Sequence, residues 1–414
     1  MSVLDMIRIF GDKIFVGEFD LEKIVENYDT PFYIYDLEVV ERRFIELTEM
    51  LRNYYENNGI SFKILYALKA NSNPDIVSLL RILGSGFDAA SPWEAETAIG
   101  LGARSDDIYI TAPGLSKKDL MYVVDKNINI NIDSMTQLNR LIELEYKKTI
   151  GVRINPGFGA GFHRYATTGG EYVKFGINLN ELDEIIRYAY RKDVPVSRIH
   201  SHIGSGIMDP DIHLRVLERL LNISIKYEDI NEIDLGGGFG VSYDDDRDYP
   251  FEDFLKESLG LIKRSLGDKE IRILLEPGRY IVARSGLLVA RVTDVKKAGD
   301  KTIILIDTGF NHFMRPVLYG ARHRVLVLRK INWERKIRVD IYGNLCESTD
   351  FLGLNIDLPK IDVDDIIIFM DTGAYGYSMA STYNLRPLPL EIIVYKDKIK
   401  LSRERFLPKI KINI

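Results

Sequence analysis

Between residues 62 and 276 the chain repeats one phrase eight times: a short β-branched or aliphatic run that ends in polar residues. The runs lie at 62–67, 86–90, 108–111, 128–133, 150–155, 198–203, 231–235 and 271–276. Helix-like stretches at 74–83, 92–102, 116–126, 135–147, 179–191, 209–228 and 251–266 separate most of them. Asn73-Pro74, Ser91-Pro92 and Asp209-Pro210 each put a capping side chain before a proline at the first helical position. Strict alternation dictates parallel strands joined by right-handed crossovers, and eight such units close into a (β/α)8 TIM-like barrel. A doubly wound open sheet is the competing architecture. The count of eight and the polar residues at nearly every strand's carboxyl end favour the barrel, whose active sites form there.

After Arg279 the helices drop out and strand-like runs follow at 280–295, 302–307, 323–331, 336–342, 365–370 and 390–401, which predicts an all-β C-terminal domain. The segment 12–35 contains strand-like pieces of its own, KIFVGEF and PFYIY. The expected organisation is therefore an N-terminal arm, 1–35, packing with the β domain; a barrel, 36–280; and the β domain, 281–414. The net charge of −6 is spread without a basic run, so neither nucleic acid nor an anionic membrane is expected as principal partner. The single cysteine, Cys346, excludes an intramolecular disulfide framework and Cys-rich zinc sites, and fits a reducing compartment. No segment has the ~20 apolar residues that cross a bilayer, and the first residues lack a signal-peptide pattern. The expected location is cytoplasmic.

The strand ends carry the chemistry. Lys69 follows the first strand; a lysine desolvated there presents the neutral amine that an aldehyde needs to form a Schiff base, whereas a surface lysine would snorkel past the rim. Gly236-Gly237-Gly238 follow the seventh strand, where barrels place phosphate sites; the alternative is a flexible turn. Glu276 and Arg279 end the eighth, suited to a ring nitrogen and an anion or, equally, to a structural salt bridge. The sixth ends in His200-Ser201-His202-Ile203-Gly204-Ser205, where alternation puts both histidines on one face. His202 either stacks on an aromatic cofactor or is a hydrogen-bonded core histidine. The remaining histidines are scattered and no metal-ligand spacing occurs, so no catalytic metal is expected. A GxGxxG dinucleotide fingerprint is missing as well.

Taken jointly, YALKANSNP, GFDAASPWE, HSHIGSG, DLGGGFG, EPGRY, MRPVLYGARH, CESTDFL and GAYGYSMASTYNLRP resemble the fold-type III pyridoxal-phosphate amino-acid decarboxylases, above all the diaminopimelate decarboxylase branch. The likeness runs from about residue 31 to 386 in the family's order. It implies a barrel followed by a β domain, and pyridoxal 5'-phosphate as cofactor. Lys69 would be joined to the cofactor aldehyde with Asp88 close by, His202 would stack on the pyridine ring, and Glu276 would face the ring nitrogen. Ser205, Gly236, Gly237, Gly238, Arg279 and Tyr375 match positions for cofactor or substrate anions. Cys346, delivered in this family from a partner subunit, would sit near the reacting carbon, leaving it or Lys69 as proton donor; a buried apolar thiol is the commoner fate of a lone cysteine. The resemblance also implies a homodimer with active sites shared across the interface.

Members of the group differ at the distal end of the substrate. A simple diamine precursor presents only an ammonium there, while a second amino-acid head also needs a cation for its carboxylate. Arg315, Tyr319 and Glu347 supply both, and with Arg279 and Tyr375 they match substrate contacts of the diaminopimelate enzymes. Arg315 has the alternative of a salt bridge within the β domain. The expected reaction is meso-2,6-diaminopimelate to L-lysine and CO2, the last step of lysine biosynthesis. Its rivals are decarboxylation of ornithine, lysine or a carrier-linked amino acid, a racemase, and a catalytically inactive regulatory homologue. The loop 156–177, with three glycines before His163 and an unusual Arg164-Tyr165-Ala166, is expected to be a lid over the barrel mouth.

Overall fold

The computed structural model describes residues 2–408 except 5, 160, 162–167, 171, 172, 244 and 268. The chain divides into two compact units: Arg43–Ser242 with Arg247–Tyr280, and Met1–Arg42 with Tyr243–Asp246 and Ile281–Ile414.

The first unit is the barrel. Its strands are β1 (Ser61–Ala67), β2 (Gly86–Ala89), β3 (Ile108–Thr111), β4 (Asn129–Ile132), β5 (Ile150–Asn155), β6 (Val196–His200), β7 (Glu232–Asp234) and β8 (Arg272–Leu275). Each pairs in parallel with its sequence neighbour, and β8 pairs with β1, with Leu275 opposite Ile64, which closes the ring. Ile110, Val152, Ile199, Ile233 and Ile273 are wholly buried, each side chain contributing about 1.5–3 kcal/mol of burial. All seven expected helices form, with no bound shifted by more than four residues and the helix Phe251–Leu266 where expected. Asn73, Ser91 and Asp209 cap theirs by accepting from backbone N–H groups of the first turn.

An eighteen-residue helix, Leu37–Tyr54, was not among the expected elements. Its signal is legible in hindsight: Val40, Phe44, Leu47 and Leu51 recur at helical spacing and are buried.

The second unit is β-rich. A four-stranded antiparallel meander spans Ser2–Leu4, Ile7–Phe10, Lys13–Val16 and Phe19–Asp20. The arm's strand Phe32–Asp36 lies inside a larger sheet, antiparallel to Gly286–Ala298 and parallel to Leu390–Tyr395. Gly286–Ala298 also serves other partners, pairing through 288–291 with Ile366–Phe369 on its opposite edge and, further along, with Lys301–Ile306. Phe32, Ile34, Leu287, Val289, Ile368 and Ile392 share its core.

Four local expectations change. Residues 280–285 are not strand: Arg279–Val282 is helical and Ala283–Ser285 a 3-10 turn, because an apolar run alone does not separate a buried helix from a buried strand. The run 390–401 is a hairpin, Leu390–Tyr395 and Lys398–Arg403, turning at Lys396 with positive φ. The run 323–331 shrinks to Val325–Val327. Phe351–Pro359 is an additional strand whose alternation Gly353 and the left-handed Asn355 disguise. No described helix is long and apolar enough to cross a membrane.

Candidate active site

Strand register, not proximity in sequence, assembles the polar ends of the barrel. Lys69 stands in a 3-10 turn directly after β1 and pairs through Nζ with Oδ2 of Asp88 on the neighbouring β2. Asp88 is 1% exposed and the lysine side chain 34%, so the amine reaches up from a buried carboxylate. Glu94, whose carboxylate accepts the Ala90 N–H at 2.6 Å, lies behind them; burial raises its pKa.

Across the ring, Glu276 follows β8 and is buried between two histidines: Oε1 lies 3.4 Å from His200 Nε2 and Oε2 3.9 Å from His202 Nδ1. Asp234, at the end of β7, joins them, so that ligand-type atoms of His200, Asp234 and Glu276 all fall within 4.8 Å of one another. Burial pushes Glu276 up to about 8, helped by the charge of Asp88, and Asp234 up to about 7, helped by Glu276. Burial pushes His200 down to about 4; it also pushes His202 well below its ordinary value, with the Lys69 charge adding to the effect. At neutral pH this cluster holds neutral imidazoles and a protonated Glu276.

The glycine-rich turn could be made of nothing else. A Cβ on Gly237 would sit 2.2 Å from the Glu276 carbonyl oxygen, and Gly238 adopts φ +98. The Glu276 N–H donates to Gly236 O at 2.7 Å and the Gly237 N–H to His202 Nδ1 at 3.0 Å, tying turn, histidine and carboxyl together. Arg279, also buried, donates from Nη2 to Ser205 Oγ at 2.9 Å on the same rim. Thus Lys69, Asp88, His202, Ser205, Gly236, Gly237, Gly238, Glu276 and Arg279 come together in one unit.

Two residues that the sequence reading passed over belong here. Arg153 on β5 is buried, its charge acting on Glu276 and Asp88, and its guanidinium stacks 4.6 Å from the Phe175 ring centre. A charged residue inside the run IGVRIN was the available signal. Asp234 opens the run DLGGGFG, where the glycines that follow carry the signal.

The other candidates lie in the β-rich unit. Arg315 is fully buried at the start of the short helix Arg315–Tyr319; its Nε donates to His323 Nε2 at 3.3 Å and its guanidinium lies 4.8 Å from the Tyr243 ring centre. Tyr319 ends that helix before the left-handed Gly320. Cys346 and Glu347 are exposed; the Cys346 N–H donates to Asn384 Oδ1 at 2.9 Å and the Tyr383 hydroxyl to Glu347 Oε1 at 2.6 Å. Tyr375 is half-buried at φ +57, a conformation that costs an aromatic residue of order 1–3 kcal/mol and tends to be kept where function needs it. Of the expected lid, His163, Arg164, Tyr165 and Ala166 fall outside the described residues. At its edge Thr168 donates from Oγ1 to His202 O at 2.7 Å.

Residues 38–283 match the family described as pyridoxal-dependent decarboxylase, pyridoxal binding domain. The chain belongs to this family. It is 35% identical over 402 residues to the diaminopimelate decarboxylase of Methanothermobacter thermautotrophicus, covering 95% of this chain and 93% of that one. Crystal structures of diaminopimelate decarboxylases superpose along nearly the whole chain. The Methanocaldococcus jannaschii enzyme in complex with L-lysine gives a TM-score of 0.88 at 30% identity, covering 97% of this chain and 95% of that one. The Helicobacter pylori enzyme with L-lysine gives 0.86 at 33%, covering 93% and 96%. The fold is therefore that of the pyridoxal-phosphate decarboxylases, and the cofactor is pyridoxal phosphate.

The barrel's residues fit that group. Asp88 Oδ1, His200 Nδ1 and Asp234 Oδ2 are buried with no hydrogen-bond partner among the described residues, an arrangement that would be costly in a site built only for packing. The donor set matches the cofactor's parts: an amine for its aldehyde, a carboxyl for its ring nitrogen, and a glycine turn with an arginine for its phosphate.

Proposed function

We propose that this protein decarboxylates meso-2,6-diaminopimelate to L-lysine and CO2 with pyridoxal 5'-phosphate, the last step of lysine biosynthesis. One observation carries the substrate: relatives alike over almost the entire chain, β-rich unit included, are diaminopimelate decarboxylases. Likeness to the Vibrio vulnificus lysine/ornithine decarboxylase, at 22% identity, reaches only the fold.

When bound, the cofactor supplies a conjugated pyridinium that accepts the electron pair left as the carboxylate departs. The chain's own residues do the rest. Lys69 is the amine for the cofactor aldehyde, and Asp88 takes or returns its proton. Glu276 keeps a proton at Oε for the ring nitrogen, which a buried carboxyl with a raised pKa does at neutral pH. His202, held neutral, flanks the ring without adding charge that would oppose a pyridinium. Ser205, Arg279 and the turn Gly236-Gly237-Gly238 take the phosphate.

For the substrate we assign Arg279, Arg315, Tyr319, Glu347 and Tyr375. The cation of Arg315 answers the distal carboxylate and Glu347 the distal ammonium, a pair that a plain diamine precursor does not need. Cys346 places the departing carboxylate or returns the proton to the α-carbon, the second role being shared with Lys69 as candidate. Its exposure within this chain accords with a homodimer whose partner completes the site. A cytoplasmic enzyme suits its single free thiol.

The test is release of lysine and CO2 by purified protein with pyridoxal phosphate, offered meso-diaminopimelate beside ornithine, lysine and arginine. Lysine formed from diaminopimelate alone is expected. Turnover of another amino acid would keep the cofactor chemistry and reject the substrate.

A further inference from the structure

Behind the glycine turn stands a pair of residues that the reaction does not use. His213, on the helix Pro210–Lys226, is completely buried, as is nearly all of Tyr249. His213 Nε2 lies 3.1 Å from Gly237 O, and His213 Nδ1 lies 3.1 Å from the Tyr249 hydroxyl. The carbonyl oxygen only accepts, so Nε2 carries the hydrogen; burial holds the ring neutral, pushing it to about 4, so Nδ1 accepts from the tyrosine O–H. The ring is locked in place by stacking on Phe239, centres 4.6 Å apart at 17°, and by the edge of Tyr249 at 5.1 Å and 83°.

Gly237 is thus gripped on both sides by imidazoles. Its carbonyl accepts from His213, and its N–H donates to His202 Nδ1 at 3.0 Å. The second bond leaves His202 Nδ1 unprotonated and places that ring's hydrogen on Nε2. Neither contact is legible in the sequence, because His213 and Tyr249 lie on either side of the motif and outside it.

We infer that His213 and Tyr249 are positioning residues: the chain Tyr249 O–H to His213, His213 to Gly237, and Gly237 to His202 sets the aim of the phosphate turn and the tautomer of the histidine beside the ring. This rests on the proposed use of Gly236-Gly237-Gly238 for the cofactor phosphate. A mere packing role would need the aromatic cage but not the ordered donors.

Three variants separate these. His213→Phe keeps an aromatic ring against Phe239 and removes both hydrogen bonds; His213→Gln keeps a donor and an acceptor; Tyr249→Phe deletes one oxygen. The dissociation constants of pyridoxal 5'-phosphate and of pyridoxal, which lacks the phosphate, are measured on the apoprotein by fluorescence quenching, with Tm alongside. His213→Phe is expected to weaken pyridoxal phosphate about tenfold while leaving pyridoxal unchanged, Tyr249→Phe to weaken it about threefold, and His213→Gln to recover most of the loss. Equal weakening of both ligands, or no selective change, overturns the proposal. Wild-type protein binding the two ligands equally would instead remove the phosphate-turn assignment, and this inference with it. If His213→Phe does not fold, Tyr249→Phe decides, since it changes neither shape nor burial.

Discussion

The barrel and the β-rich unit hold their candidate residues in opposite ways. In the barrel each one touches another: Lys69 with Asp88, Glu276 with His200 and His202, Gly237 with His202, Arg279 with Ser205. In the β-rich unit Arg315 leans on Tyr243 and His323, Cys346 on Asn384 and Glu347 on Tyr383, all outside the set. Parallel strands in fixed register deliver the first group to one rim, whereas loops and one short helix carry the second. Under the proposed assignment the cofactor end is built within a single unit, and the substrate end depends on what meets Cys346 and Glu347 from outside.

The contrast can be broken most sharply at Lys69. Lys69→Ala is expected to lower kcat by on the order of 10³ or more, and borohydride reduction of the wild-type holoprotein should label the peptide containing Lys69; a label elsewhere rejects the assignment. Next comes dilution. If the β-rich unit's residues work with a partner subunit, decarboxylation should collapse below the dimer dissociation constant while cofactor absorbance persists. Parallel loss of both would place the whole site under control of the dimer. Arg315→Ala should raise KM for diaminopimelate by roughly 10–100-fold, as expected for a lost charged hydrogen bond, without changing cofactor affinity; equal loss of both marks a structural arginine.

Smaller, and confined to the barrel, is the pH effect of Glu276. A glutamate ordinarily titrates near 4.5 and this one is raised to about 8, so between those values the folded apoprotein binds more protons than the unfolded chain. The stabilisation tied to that proton is complete below about 4.5 and is lost as pH rises through about 8. Subtracting wild-type Tm from that of Glu276→Gln apoprotein should therefore give a difference that grows from pH 5 to 8; a flat difference refutes the raised pKa. Least of all, Ser116→Ala removes an exposed capping box from the helix Lys117–Asp125 and should cost about 1 kcal/mol with kcat and KM intact.

The barrel was legible because period and punctuation agreed: all eight strands and seven helices sit where alternation and the Asn73, Ser91 and Asp209 caps put them. The rim followed, since residues after a strand's last apolar position face the barrel mouth. What escaped lies off that pattern. Arg153 is inside a strand, and His213 and Tyr249 reach Gly237 only through the tertiary fold. In the β-rich unit alternation is interrupted by Asn355 and Lys396 at positive φ, so one strand went unread and a hairpin read as one run. Residue type still singled out Arg315, but its aromatic support by Tyr243 had no sequence signal.

One pairing has a consequence for how the protein is made. Phe32 sits in register with Leu390, so this strand finds its parallel neighbour only after the 357 residues between them have been synthesised. At roughly 5–20 residues per second that wait is on the order of tens of seconds. The barrel's local βα units can close while the strand Phe32–Asp36 still has an unmatched edge. Nascent chains stalled before residue 380 should resist protease across the barrel yet be cut around Phe32; early protection there would mean the edge is covered by something other than its final neighbour.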